Sequence, residues 1–116
     1  MKLLKEKTYK EKRSVFISYL FEVENIQDSK DVISSLKEKN SGAKHFLCAL
    51  LLKEYSLARE DGEPIKSMSL LLKEMERKKL FNKMIVVIRY YGGVNLGASN
   101  LARVYLDISK ELIKEY

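Results

Sequence analysis

Three groups of residues have the types and spacing to do chemistry. The most distinctive lies in the stretch 85–103, where an apolar run leads into Tyr91-Gly92-Gly93-Val94-Asn95-Leu96-Gly97-Ala98-Ser99-Asn100 and then into a helical pattern. Three of the five glycines fall here, Gly92, Gly93 and Gly97. Glycine lets the backbone turn sharply and lets a ligand come close to main-chain amides. A helix starting near Ser99 turns its orphan N–H groups and the positive end of its dipole toward the loop. Arg89 leaves the preceding strand and Arg103 sits one turn into the helix, so two guanidiniums flank the amides and suit a phosphate or a carboxylate. The spacing is neither Gly-x-Gly-x-x-Gly nor a Walker loop, and on spacing alone a plain structural turn is the favoured reading over an anion cradle.

The second group is Glu60-Asp61-Gly62-Glu63-Pro64. Its three carboxylates can bind a cation or serve as acid and base, but no ligands follow at EF-hand spacing. A solvated turn whose acids complement the dipole of the next helix is the simpler reading. The third is His45, the only histidine, next to Lys44 in a strand-like segment. It suits acid–base work or a hydrogen-bond anchor. No Ser or Cys stands at a readable triad position, so the pattern leans toward a binding domain rather than an enzyme.

The elements that must hold these groups are readable from periodicity. Residues 14–22 are β-branched and aromatic and predict a strand, with 6–12 as a candidate edge partner. Residues 28–39 begin with Asp28-Ser29 and end before Asn40-Ser41-Gly42, which predicts a helix. The apolar run 43–53 suits a central strand, 55–59 a short partner, and 66–80 a helix. Residues 84–90 are the clearest strand, and Leu101, Tyr105, Ile108 and Leu112 describe a last helix. The order is β(β)αββαβα, an α+β domain.

Composition bounds the rest. The 116 residues are 46% hydrophobic and 33% charged, the mixture of one globular domain. A single cysteine, Cys48, excludes an internal disulfide and reads as a small buried hydrophobe. No run is long enough to span a bilayer, no secretory signal is visible, and the lone cysteine points to the cytosol. No cofactor or metal motif is present. The net charge is +6, of which +4 sits in residues 1–13, where Lys2, Lys5, Lys7, Lys10, Lys12 and Arg13 outnumber Glu6 and Glu11. Residues 1–13 are expected to form a basic arm or edge strand able to touch phosphates, and 14–116 a single domain.

Ala43-Lys44-His45, Asp61-Gly62-Glu63-Pro64, Val87-Ile88-Arg89-Tyr90-Tyr91-Gly92-Gly93-Val94-Asn95-Leu96-Gly97-Ala98 and Leu101-Ala102-Arg103-Val104-Tyr105 occur in that order. Together they resemble the hallmark elements of the Impact/YigZ family over nearly the whole chain. The resemblance implies a mixed sheet with helices on one face, like domain IV of elongation factor G. Eukaryotic members are translation regulators that compete for the activator of an amino-acid-starvation kinase. The family's Ser-Gly-Thr-Ala-Gly is here Ile65-Lys66-Ser67-Met68-Ser69, and its Gly-Gly before the last helix is Ser99-Asn100. Bacterial relatives usually continue into a second ferredoxin-like domain, so a domain-only or shortened member is expected.

The function this leads to is a non-enzymatic, translation-linked binding domain that takes RNA phosphate or another anion at the 92–103 loop. Its expected site is Lys44, His45, Asp61, Gly62, Glu63, Arg89, Tyr90, Gly92, Gly93, Asn95, Gly97 and Arg103. RNA, the ribosome or a translation-related protein are the expected partners, with no membrane, and the oligomeric state is left open. A protein-interaction module in a stress-response pathway and an enzyme acting on a phosphorylated small molecule are the alternatives.

Overall fold

The computed structural model describes residues 1–116. Five strands and three helices follow one another as β1 (Lys2–Glu11), β2 (Ser14–Glu22), α1 (Ile26–Lys39), β3 (His45–Leu51), β4 (Ser56–Arg59), α2 (Ser67–Arg77), β5 (Lys83–Tyr90) and α3 (Ala98–Ile113). The sheet runs in the order β1-β2-β5-β3-β4. Every pairing is antiparallel, so the α+β class is as expected while the sheet is not mixed. Hairpins join β1 to β2 and β3 to β4, while β2 and β3, and likewise β4 and β5, run parallel without being neighbours, so α1 and α2 serve as the crossovers that connect them.

Residues 2–11 form the edge strand, longer than the 6–12 expected. The hairpin closes through Lys12 and Arg13, whose φ angles of 45° and 69° give the mirror-image turn that matches strand twist. Neither is a glycine or asparagine, so sequence signals for a hairpin are missing there.

Side chains alternate across the sheet. Phe16, Leu20, Leu47, Ala49, Ile85 and Val87 face α2 and α3, meeting Met68, Leu71, Met75, Leu101, Val104 and Tyr105. Tyr19, Phe46, Cys48, Leu50, Met84, Val86 and Ile88 face the other way and meet Val32 and Leu36 of α1. The helices therefore cover both faces rather than one. The central strands β3 and β5 are buried on both faces, which explains their unbroken apolar sequence. Helix α1 starts on a side-chain cap, with Asn25 Oδ1 accepting from the Asp28 N–H at 2.8 Å.

Candidate anion-binding end of the sheet

The site is built where β5 runs out, and register brings its parts together. His45 pairs with Arg89, Phe16 pairs with Arg89, and Val15 pairs with Tyr90. The starts of β2 and β3, the end of β5 and the β1–β2 turn thus share one end of the sheet. The segment 60–66 closes over it before entering α2.

Arg89 stands on the α2/α3 face, and its side chain is only 8% exposed. Its Nη1 donates to Glu63 Oε2 at 3.3 Å and its Nη2 to Ser14 Oγ at 3.4 Å. The guanidinium lies over the rings of Phe16 and Tyr91, 5.6 and 5.3 Å from their centroids. Glu63 is 7% exposed and also accepts from the Tyr105 hydroxyl at 2.6 Å. Burial, then this hydrogen bond to a carboxylate, holds the Tyr105 phenol well above its ordinary range.

His45 completes the cluster. Its Nδ1 is 2.7 Å from the Asp61 carbonyl oxygen, which can only accept, so Nδ1 carries the proton. Nε2 then faces Glu63 Oε1 at 3.6 Å, an ion pair whenever Nε2 is also protonated. Asp61 Oδ2 accepts from the Phe46 N–H at 2.7 Å. Glu60 accepts from the Met68 and Ser69 N–H groups at 3.0 and 3.1 Å, capping α2.

The four expected residues His45, Asp61, Glu63 and Arg89 therefore do meet, with Gly62 beside the imidazole at φ 83°. They meet as an internal network in which only Arg89 Nε lacks a partner: the carboxylates read as a cation site or an acid–base pair each have a structural partner. Tyr105 and Ser14 belong to the same network, and sequence reasoning misses both. Tyr105 sits at an apolar position of an amphipathic helix, which reads as core.

Two expected residues point elsewhere. The Tyr90 hydroxyl donates to Asn40 Oδ1 at 2.6 Å on the α1 face. Arg103 bonds Asn100 Oδ1 and Asp107 Oδ2 and lies 3.5 Å from Glu11 Oε1, outside α3 and over the edge strand. The two guanidiniums do not share a hollow. Arg89 is consumed inside, and Arg103 faces β1.

The loop itself is open. A Cβ on Gly93 or Gly97, both at positive φ, would meet nothing within 4 Å. Gly92 is different: a Cβ there would lie 2.1 Å from the Arg13 carbonyl oxygen, so the loop and the hairpin turn are in backbone contact. Asn95 Oδ1 accepts from the Gly97 N–H at 2.9 Å, shaping the entry to α3. Helix α3 begins without a side-chain cap and with no acid in its first turn, which leaves its first N–H groups without a side-chain acceptor.

Charge at this end is sorted. Glu11, Glu60, Asp61 and Glu63 are engaged as described. Lys12, Arg13, Lys44 and Lys66 are exposed and make no ion pair. The rest of the expected basic arm behaves differently: Lys5 pairs with Glu115 and Lys7 with Glu111 of α3.

The Impact N-terminal domain model matches residues 12–113, from the hairpin turn to the end of α3. The chain belongs to the Impact N-terminal domain family. It is 32% identical over 97 residues to the IMPACT family member YvyE of Bacillus subtilis, covering 80% of this chain and 45% of that one. It is 30% identical over 109 residues to an IMPACT family member of Haemophilus influenzae, covering 89% of this chain and 53% of that one. The chain thus spans about half the length of these relatives. Among solved structures, a hypothetical protein superposes with a TM-score of 0.86 at 23% identity, over 94% of this chain and 56% of that one. The two-domain translational regulator Yih1 superposes with a TM-score of 0.54 at 19% identity, over 95% of this chain and 45% of that one. These likenesses establish the shared fold. No helix of the chain is long and apolar enough to cross a membrane.

Proposed function

We propose that this Impact-family domain is a translation-linked, non-enzymatic binding domain that takes RNA phosphates at the exposed end of its sheet. The observation that carries this reading is the sorting of charge. The acids described there are tied up inside the protein, while Lys12, Arg13 and Lys44 stand free beside an open glycine loop and an uncapped helix N-terminus. Backbone amides and unpaired cations together suit phosphate oxygens. The exposed Tyr91 ring, 59% accessible, offers a face for a base. The link to translation rests on family membership and on Yih1 being a translational regulator, and such work would be done in the cytoplasm. Gly92, Gly93, Asn95 and Gly97 shape the loop, Lys44 and the hairpin turn supply charge, and His45, Asp61, Gly62, Glu63 and Arg89 hold the floor. Arg103 contributes at the margin, through its hold on Glu11.

Fluorescence anisotropy with a labelled single-stranded RNA tests this. Affinity should fall steeply with salt, and replacing Lys12, Arg13 and Lys44 together by Ala should flatten the slope by about two units. No affinity at low salt, or an unchanged slope in the triple variant, would sink the reading.

A further inference from the structure

The outer edge of β1 has no partner in the fold, since β1 pairs only with β2. The edge is long, and regular over residues 5–11, beyond the bulge between Leu3 and Lys5. Such an edge is a template for another strand. We propose that it pairs with the same edge of a second copy, antiparallel and centred on Thr8, to form a continuous ten-stranded sheet.

Which groups face outward follows from the turn. A two-residue turn at Lys12 and Arg13 makes Glu11 and Ser14 the closing hydrogen-bonded pair. Alternation then bonds Tyr9 to Phe16 and Lys7 to Ser18, and it turns the N–H and C=O groups of Glu6, Thr8 and Lys10 to the free edge. Two such edges can bond only if outward residues oppose outward residues. That restricts a two-fold axis to a residue position and excludes one between residues.

Charge then selects among the positions. Centred on Thr8, the seam sets Glu6 opposite Lys10 of the second copy and Lys5 opposite its Glu11, each twice by symmetry. Thr8 opposes Thr8, a β-branched pair, and Lys7 opposes Tyr9. Centring on Lys7 opposes two lysines, and centring on Glu6 opposes two glutamates. Centring on Tyr9 sets Lys5 against Arg13. Only the Thr8 register is free of like-charge pairs among these. Lysines on an edge commonly prevent strand addition; here the alternation of Lys and Glu makes the edge complementary to itself. Glu6 and Lys10 form no internal ion pair, so both are free for the seam.

The helices leave room. Helix α3 lies on β2 and holds the edge strand through Lys7–Glu111 and Glu11–Arg103, and Glu115, just past its end, holds Lys5. Three strand spacings separate the two copies of α3, about 14 Å, beyond the 8–10 Å of packed helices. The cleft of about 310 Å³ between β1 and α3, lined by Tyr9, Ser18, Arg103 and Ile108 among others, lies along that gap. A seam of one strand is small, so the dimer should form only as concentration rises.

Sedimentation equilibrium across a concentration series at low salt should show the mean mass climbing from one chain toward two. Glu6→Lys should weaken association roughly tenfold, through two new repulsions. The swap Glu6→Lys with Lys10→Glu should restore it. Thr8→Pro removes an outward N–H and no hairpin bond, so it should abolish association while circular dichroism shows the fold retained. A wild-type chain that stays monomeric at every concentration overturns the proposal. So does a dimer unmoved by Thr8→Pro, or a charge swap that fails to restore what Glu6→Lys removes.

Discussion

Replacing Glu63 by Ala should destabilise the domain more than any other single change at the loop end of the sheet. Three interactions disappear together: the ion pair to Arg89, the acceptor of the Tyr105 hydroxyl, and the approach to His45 Nε2. Most of the loss comes from Arg89, whose side chain is 8% exposed and whose Nε already lacks a partner. Removing one member of a buried pair leaves an uncompensated charge and costs about 3–5 kcal/mol. A domain of this size has about 5–15 kcal/mol in all. The cost is held to the lower half of the range because Arg89 lies against Tyr91, which is exposed and able to yield. With a urea m-value of about 2 kcal/mol/M, the midpoint should drop by roughly 2 M, read by circular dichroism. Glu63→Gln keeps an acceptor and should fall in between. Adding Arg89→Met to Glu63→Ala should recover more than half of the loss, since the charge leaves with its partner. A loss below about 1 kcal/mol for Glu63→Ala, or no recovery in the double variant, would refute the claim that a buried charge pair holds this end together.

Gly92→Ala should cost about 1–3 kcal/mol, because its Cβ would strike the Arg13 backbone, which cannot yield as a side chain tip would. Gly93→Ala meets no neighbour and should cost only the roughly 1–2 kcal/mol of a positive φ; urea midpoints compare the two. Burial pushes the Cys48 thiol up to about 11 and raises the Tyr105 phenol as well. Both are neutral acids whose folded pKa lies above the unfolded one. Their stabilisation is therefore full below pH 9 and is lost as pH climbs, first through the thiol between about 9 and 11. Urea midpoints against pH should fall across that window, and Cys48→Ala should flatten the fall.

The sequence made the elements legible where pattern and burial agree. The segments 14–22 and 84–90 are strands, 28–39 lies within two residues of its limits, and the last helix starts within a residue of Ser99. What escaped was sidedness. In β5 every residue from Met84 to Arg89 is buried, so no polar marker tells which parity faces which layer. Arg89 shares its face with Val87 and Ile85, while Tyr90 goes with Ile88 to the α1 side. The one-face arrangement of helices failed for the same reason: α1 needs a sheet face apolar on its own side, and a doubly buried strand supplies one invisibly. The β1–β2 hairpin was faint because Lys12 and Arg13 adopt positive φ without the glycine or asparagine that usually announces it.

The site was legible as a neighbourhood and misread as chemistry. Spacing put Arg89 and Arg103 on either side of the glycine loop, and proximity in sequence suggested a shared task. Side-chain direction decides otherwise, since a strand residue projects across the sheet while a helix residue one turn in projects around the helix axis. A cation is available to a ligand only if no carboxylate of the fold has claimed it, and a count of charges cannot express that. The near-balanced body and the basic first 13 residues suggested an arm that does the binding. In the folded chain Lys5 of that arm is held by Glu115 and Lys7 by Glu111 of α3, and the free cations that gather beside the glycine loop are those at turns, Lys12, Arg13, Lys44 and Lys66. Turns leave side chains without neighbours of either sign, so a fold that ends its strands on lysine and arginine gathers unpaired charge at one end even when its net charge is small.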